Sequence, residues 1–295
     1  MALLDDIKFQ FRTGNILMQL IYVNGGVFLL MMVLRLVFFL TGNEGLFNQA
    51  VLQLTIPADP KLLLLRPWTL LTHMFVHANF LHVLFNMVWL YFGGSIFLNF
   101  LDSKKLLSTF VLGGLSGALF FVAAMNLFPV FSATAPYASA EGASAAVLAI
   151  VVAAATTVPN YVVQLVLIGP VRLKYIAIVL VILDLIFIPS GNAGGHLGHL
   201  GGAYFGFVSA SQLKRGNDLT VDFLKPWFWL KKKFPKGSRK IKVVHSKHRS
   251  DAEFNAARNN RQAEVDVILD KIKRSGYESL SKSEKDILFK ASKEL

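Results

Sequence analysis

Long apolar stretches broken by short polar ones fill the first two thirds of the chain. The first covers residues 16–40, and others follow at about 80–100, 106–128, 143–158, 172–188 and 195–213. A helix that crosses a bilayer needs roughly 20 mostly apolar residues. By that measure the fourth stretch is short and the sixth is rich in glycine. The pattern predicts an all-α membrane protein, with six transmembrane helices bundled within residues 1–213.

Beyond residue 213 the pattern changes. Residues 214–295 carry 21 Lys/Arg against 11 Asp/Glu, leaving 9 and 7 for everything before them. Residues 214–262 read as a basic juxtamembrane linker, with Trp227 and Trp229 beside Lys225 and Lys231 to Lys233. Such a segment suits anionic lipid headgroups on a cytoplasmic leaflet, so no nucleic acid is expected as a partner. Residues 263–295 read as a small helical domain. Val265, Ile268, Leu269 and Ile272 share one helical face, Gly276 interrupts it, and Ser281 with Glu284 forms a capping box for a second helix. The chain has no cysteine, which excludes disulfides and thiolate chemistry. Residues 1–11 lack the features of a signal peptide, so the first apolar stretch is expected to remain as a spanning helix.

Positive charge orients the spans. Lys8 and Arg12, then Lys104 and Lys105, then Arg172 and Lys174, then the tail, mark one side. Residues 126–143 and 189–195 carry no Lys or Arg. Both termini are therefore expected in the cytoplasm. The loop at 41–79 breaks the pattern with Lys61 and Arg66, but it is apolar from Leu62 to Leu65 and reads as lying in the outer leaflet. Spans two, four and six then run from outside to inside. Ser144 heads span four and His199 lies near the head of span six, with His82 and Asn86 in the outer part of span two. The short fourth span sets Ser144 below the outer surface, in a cavity open to water.

A serine hydroxyl needs a base to become a nucleophile, and a nearby imidazole supplies one near neutral pH. Ser144 and His199 are the candidate pair. His82 and Asn86, one turn apart, are candidate oxyanion donors; read singly they are equally polar glue between helices. Glu141 lies outside span four, and Asp184 in span five reads as a structural or cavity-facing group. The sequence thus predicts a dyad without a third member. Gly194, Gly198, Gly202 and Gly206 recur at every fourth position beside His199, facing the alanines of span four, a pattern that permits close helix packing. No His-Glu-x-x-His motif occurs, and no carboxylate stands near the histidine pairs in sequence, so no metal and no cofactor are expected.

These residues resemble the rhomboid family of intramembrane serine proteases over about residues 60–213. The resemblance rests on His77, His82 and Asn86 followed by Trp89 and Gly93-Gly94, on Gly142-Ala143-Ser144, and on His199, Gly202 and Gly206. It implies Ser144 as nucleophile, His199 as base, and His82 and Asn86 at the oxyanion hole. It implies that His196 is not the base, and it matches Arg66-Pro67-Trp68 to an element of an embedded first loop. Two positions depart from the family pattern: Ala145 replaces a glycine, and Leu148 stands where an aromatic ring is common. The terminal helix pair resembles a domain of unknown role that trails rhomboids in Bacteroidetes, which implies a bacterial plasma (inner) membrane.

The expected function is an endopeptidase that cuts transmembrane protein substrates near the outer surface of the lipid bilayer. A catalytically inactive relative that binds membrane proteins is one alternative. A transporter is another, but spans four and six turn apolar below Ser144 and His199. The orientation is testable because the chain lacks cysteine. Single cysteines at residue 135 and at the C-terminus should label from opposite sides of the membrane; labelling from the same side would refute the convergence of the four polar groups.

Overall fold

The computed structural model describes residue 11, residues 14–166 and 168–220, and residues 251–292. They fall in two units, Met1–Phe234 and Pro235–Leu295.

The larger unit begins with α1 (Ile16–Leu40), which Asn15 caps by accepting the Met18 amide. A long connection follows, built from α2 (Glu44–Leu52), β1 (Ile56–Pro57), α3 (Pro60–Leu65), α4 (Thr69–Thr72) and a 3-10 turn at His73–Phe75. Then come α5 (Phe80–Phe100), capped by Asn79, and α6 (Ser103–Leu127), capped by Asp102. Strand β2 (Ser139–Ala140) leads into α7 (Ser144–Thr157). The hairpin of β3 (Val162–Leu165) and β4 (Gly169–Arg172) leads into α8 (Leu173–Phe187), and α9 (Ala193–Lys214) closes the unit. Helices occupy all six apolar stretches. Among the described residues, α1, α5 and α6 are both long and apolar enough to cross a membrane. Helices α7 and α8 have 14 and 15 residues. Helix α9 has 22 residues but is diluted by glycine.

The fold is mostly helical rather than wholly so. Strand β1 pairs antiparallel with β2, tying the long connection to the segment before α7. In the β3–β4 hairpin Gly169 pairs with Leu165 and has a φ of +88°, which suits glycine. Neither two-stranded ladder was expected from the pattern, because pieces this short leave no alternation to read.

Side chains staple the long connection to itself. The Trp68 indole N–H donates to Gln53 O at 2.7 Å, the Thr72 hydroxyl to Leu54 O at 2.7 Å, and the Arg66 guanidinium to Leu52 O at 3.3 Å. This leaves Leu64 81% exposed and Leu65 72% exposed, as an apolar edge.

Helix α7 occupies the centre, with every residue from Ala145 to Ala155 buried. It reaches that position because its neighbours lack side chains where they cross it. A Cβ at Gly202 of α9 would overlap the Ala145 carbonyl oxygen, and one at Gly206 would overlap that of Ala149. On α6, Gly117 and Gly113 leave room for the methyls of Ala145 and Ala149. The extra methyl at Ala145 is therefore housed by Gly117. Leu90, Phe110, Ile150 and Leu173 are fully buried around this contact.

At the far end of the bundle, Lys105 bridges Asp102 at 2.9 Å and Asp218 at 3.2 Å. The Ser108 hydroxyl donates to Thr220 O at 3.2 Å, fastening the chain beyond α9 to the start of α6. Burial works to raise the Asp218 carboxyl, but hydrogen bonds from Thr220 and Lys105 outweigh it and hold it below the usual carboxylate range.

The smaller unit holds α10 (Asp251–Ser275) and α11 (Lys282–Ser292), separated by Gly276 with φ +76°. The first helix begins at Asp251, inside the stretch that reads as linker. The capping box is formed: the Ser281 amide donates to Glu284 Oε2 at 2.6 Å, and the Glu284 amide to Ser281 Oγ at 3.3 Å. Lys271 first, then Ser281, holds the Glu284 carboxyl down at about 2. Ile268 and Leu280 are buried in this unit. Residues 221–250, including Trp227, Trp229 and Lys231 to Lys233, lie outside the described residues.

The α7–α9 contact makes Gly202→Ala a sensitive probe. The added methyl should destabilise the folded protein by about 1–3 kcal/mol, the usual cost of overpacking, read as a lower thermal midpoint in detergent. An unchanged midpoint would mean the two backbones do not touch.

Candidate active site

Ser144 is the first residue of α7, and the chain before it is held on both sides. Gly142 has φ +122°, a backbone conformation that favours glycine. Its amide donates to His73 O at 2.8 Å. The Ala143 amide donates to His77 Nε2 at 3.4 Å. His73 and His77 are buried, so both serve here as backbone anchors. The sequence carries no local signal for that role, because it is set by the pairing of two distant loops.

His199 lies in the second turn of α9, beside the glycine face that packs on α7. Its Nε2 is 2.6 Å from Ser144 Oγ. The pair borders a cavity of about 510 Å³, lined also by His82, Glu141, Gly142 and Gly198. His82 sits opposite Gly142: a Cβ on that glycine would come within 2.8 Å of the His82 ring. Asn79 caps α5 by accepting the His82 amide at 2.9 Å, and the His82 ring meets that of His77 edge-on at 5.1 Å. Asn86 is buried and borders a second cavity of about 200 Å³, shared with Ser144, Leu148, Asp184 and His199. Its Nδ2 donates to His82 O at 3.0 Å, which uses one of its two amide protons. His82 and Asn86 thus lie on the two cavities that meet at Ser144. Gly202 and Gly206 lie away from the cavities and carry the close packing.

The sequence placed no carboxylate beside the histidines, and here the structure corrects it. Asp184, in the last turn of α8, has Oδ1 2.7 Å from His199 Nδ1 and 2.8 Å from His196 Nδ1. Its side chain is only 12% exposed. The His196 ring lies 6.1 Å from that of Phe187, nearly parallel to it, and meets the His199 ring edge-on at 5.8 Å. The missed signal was geometric. Asp184 ends α8, the two histidines open α9, and only residues 188–192 separate the helices. A tight helical hairpin brings those ends to one level.

Asp184, His196 and His199 form a group whose ligand atoms lie within 4.8 Å of one another. The contacts of 2.7 and 2.8 Å have hydrogen-bond length, and they satisfy both Nδ1 groups without an ion. The other nitrogen of His199 faces Ser144.

Gly142→Ala tests this local geometry. An alanine at φ +122° is strained, and its methyl would press on His82. The variant should fold yet lose most labelling by a fluorophosphonate probe; full labelling would mean the turn can relax without disturbing Ser144.

The rhomboid domain matches residues 65–215, just over half of the 295 residues. A family of unknown function (DUF6576) matches residues 249–294, close to the start of α10. No curated protein matches the chain significantly. The match covers the polar residues gathered around Ser144 and most of the long apolar helices, and the chain is accordingly a multi-pass integral membrane protein that belongs to the rhomboid family.

Proposed function

We propose that the chain is an intramembrane serine endopeptidase in which Ser144 attacks the scissile carbonyl and His199 is the base. The observation that carries this reading is the 2.6 Å approach of His199 Nε2 to Ser144 Oγ at the edge of a cavity. His199 takes the hydroxyl proton as the Ser144 Oγ–carbon bond forms. It returns that proton to the departing amine as the carbon–nitrogen bond breaks, and water then hydrolyses the acyl-enzyme.

The tetrahedral oxyanion needs donors. His82 from one cavity, the Asn86 amide from the other, and the amides of the first turn of α7 are the candidates. Amides at a helix start have no acceptor within the helix and carry the positive end of its dipole.

The substrates are transmembrane proteins. The charge pattern supports six spans with both termini cytoplasmic, in a bacterial plasma membrane. Helix α7, with 14 residues, is about 21 Å long, against a hydrocarbon core of about 30 Å. That shortfall supports a Ser144 reached from the outer side through water. The exposed Leu64 and Leu65 support immersion of the long connection in the outer leaflet. The basic segment after residue 213 is assigned to anionic headgroups and the terminal helix pair to the cytoplasm. The buried run from Ala145 to Ala155 argues against a transport path beneath the site.

Ser144→Ala and His199→Ala should each abolish cleavage of a transmembrane substrate while the protein stays folded. Because the pair acts as a unit, the double variant should be little worse than either. Asn86→Ala should lose about 10²–10³ in rate if its amide is one oxyanion donor among several. Wild-type cleavage by Ser144→Ala would exclude Ser144 as the nucleophile, and no cleavage by the wild type would favour a binding role.

A further inference from the structure

We infer that Asp184 is a positioning residue that turns the Ser144–His199 pair into a charge-paired Ser–His–Asp triad, an inference that rests on the protease reading. His199 has two ring nitrogens with opposite tasks. To accept the Ser144 proton, Nε2 must present a lone pair, so the ring's own proton must sit on Nδ1. A carboxylate accepts hydrogen bonds and donates none when ionised. Asp184 Oδ1 at 2.7 Å from Nδ1 therefore selects the tautomer that the chemistry requires.

The same contact fixes ring orientation. Ser144 Oγ and Asp184 Oδ1 hold the two nitrogens from opposite sides, on α7 and α8, while the ring itself rides on α9. His196 steadies the carboxylate. It engages the same Oδ1 at 2.8 Å, and its ring is held against Phe187. Leu148, which borders the small cavity with His199, offers the imidazole no polar contact.

When the serine proton moves to Nε2, the imidazolium gains a full positive charge in a site largely walled by apolar helices. Its Nδ1–H stays in place, and the Asp184 charge lies directly against it. No proton passes to Asp184. Pairing of this kind counts for more where the dielectric is low. The other titratable groups around the site are His82 from α5, His73 from the long connection and Glu141 before α7; α6 contributes Gly117, Ala118 and Phe121 to the cavity wall.

The test compares wild type, Ser144→Ala, Asp184→Asn and Asp184→Glu in detergent, using a fluorogenic transmembrane peptide. Asp184→Asn keeps the shape but removes the charge, and its amide can donate to Nδ1, stabilising the wrong tautomer. It should lower kcat by roughly 10²-fold or more, with little change in KM. Its acid limb should also move to lower pH, because the imidazolium has lost its counter-charge. Asp184→Glu, which keeps the carboxylate, should recover part of kcat and restore the limb. If Ser144→Ala is dead while Asp184→Asn keeps the wild-type kcat and pH profile, the triad is refuted and the protease reading stands. If Ser144→Ala cleaves like wild type, both fall. Should Asp184→Asn fail to fold, the nitrogen-15 spectrum of histidine-labelled Ser144→Ala decides: His199 should carry its neutral-form proton on Nδ1, and a proton on Nε2 would overturn the inference.

Discussion

No side chain separates α7 from α9 at Gly202 and Gly206. Their backbones meet there, and α6 comes nearly as close through Gly113 and Gly117. Dispersion energy rises steeply as atoms reach contact, and small residues let whole backbones do so. Ser144 stands at the first residue of one of these helices and His199 one turn before Gly202 on the other. Ser144 and His199 meet because the helices that carry them cannot drift apart without opening a void along α7. The Ser144–His199 hydrogen bond is therefore a by-product of packing rather than its cause.

Around that contact the polar groups are arranged in tiers. His73 and His77 anchor the turn through Gly142 and Ala143, and the turn delivers Ser144 at a helix start. His82 fills the space that Gly142 leaves empty. Asp184 and His196 hold the far side of His199. His73, His77, Ser144, Asp184, His196 and His199 each meet a partner from another element, which offsets the cost of polar groups among apolar helices, while Asn86 bonds within its own helix.

Most of the helical scaffold was legible because length and hydropathy carry it. The apolar stretches at 16–40 and 80–100 match α1 and α5 residue for residue, and the others shift by a few positions at their ends. Ser144 and His199 stood out because each is polar at the head of an apolar stretch. Helix α10 begins earlier than the sequence suggests because residues 251–262 are polar and show no apolar face. The short β1–β2 and β3–β4 ladders are made by backbone hydrogen bonds, which leave little trace in side-chain pattern. Asp184 was visible, but its partner was not. An acid in an apolar helix fits several roles, and only the tightness of the turn at residues 188–192 singles out one.

Helix α8 is the least buried of the helices around the site. Its buried residues, Leu173 and Ala177, both lie in its first half. Ile182, Leu185, Ile186 and Phe187 near its other end are exposed. The Asp184 end is fastened to α9 by the two imidazoles, the Phe187 ring against His196, and the short connection. Any displacement that lifts this end away stretches the bonds to His196 and His199 first. The orientation of the His199 ring therefore depends on where this end of α8 sits, because one carboxylate oxygen joins it to both imidazoles.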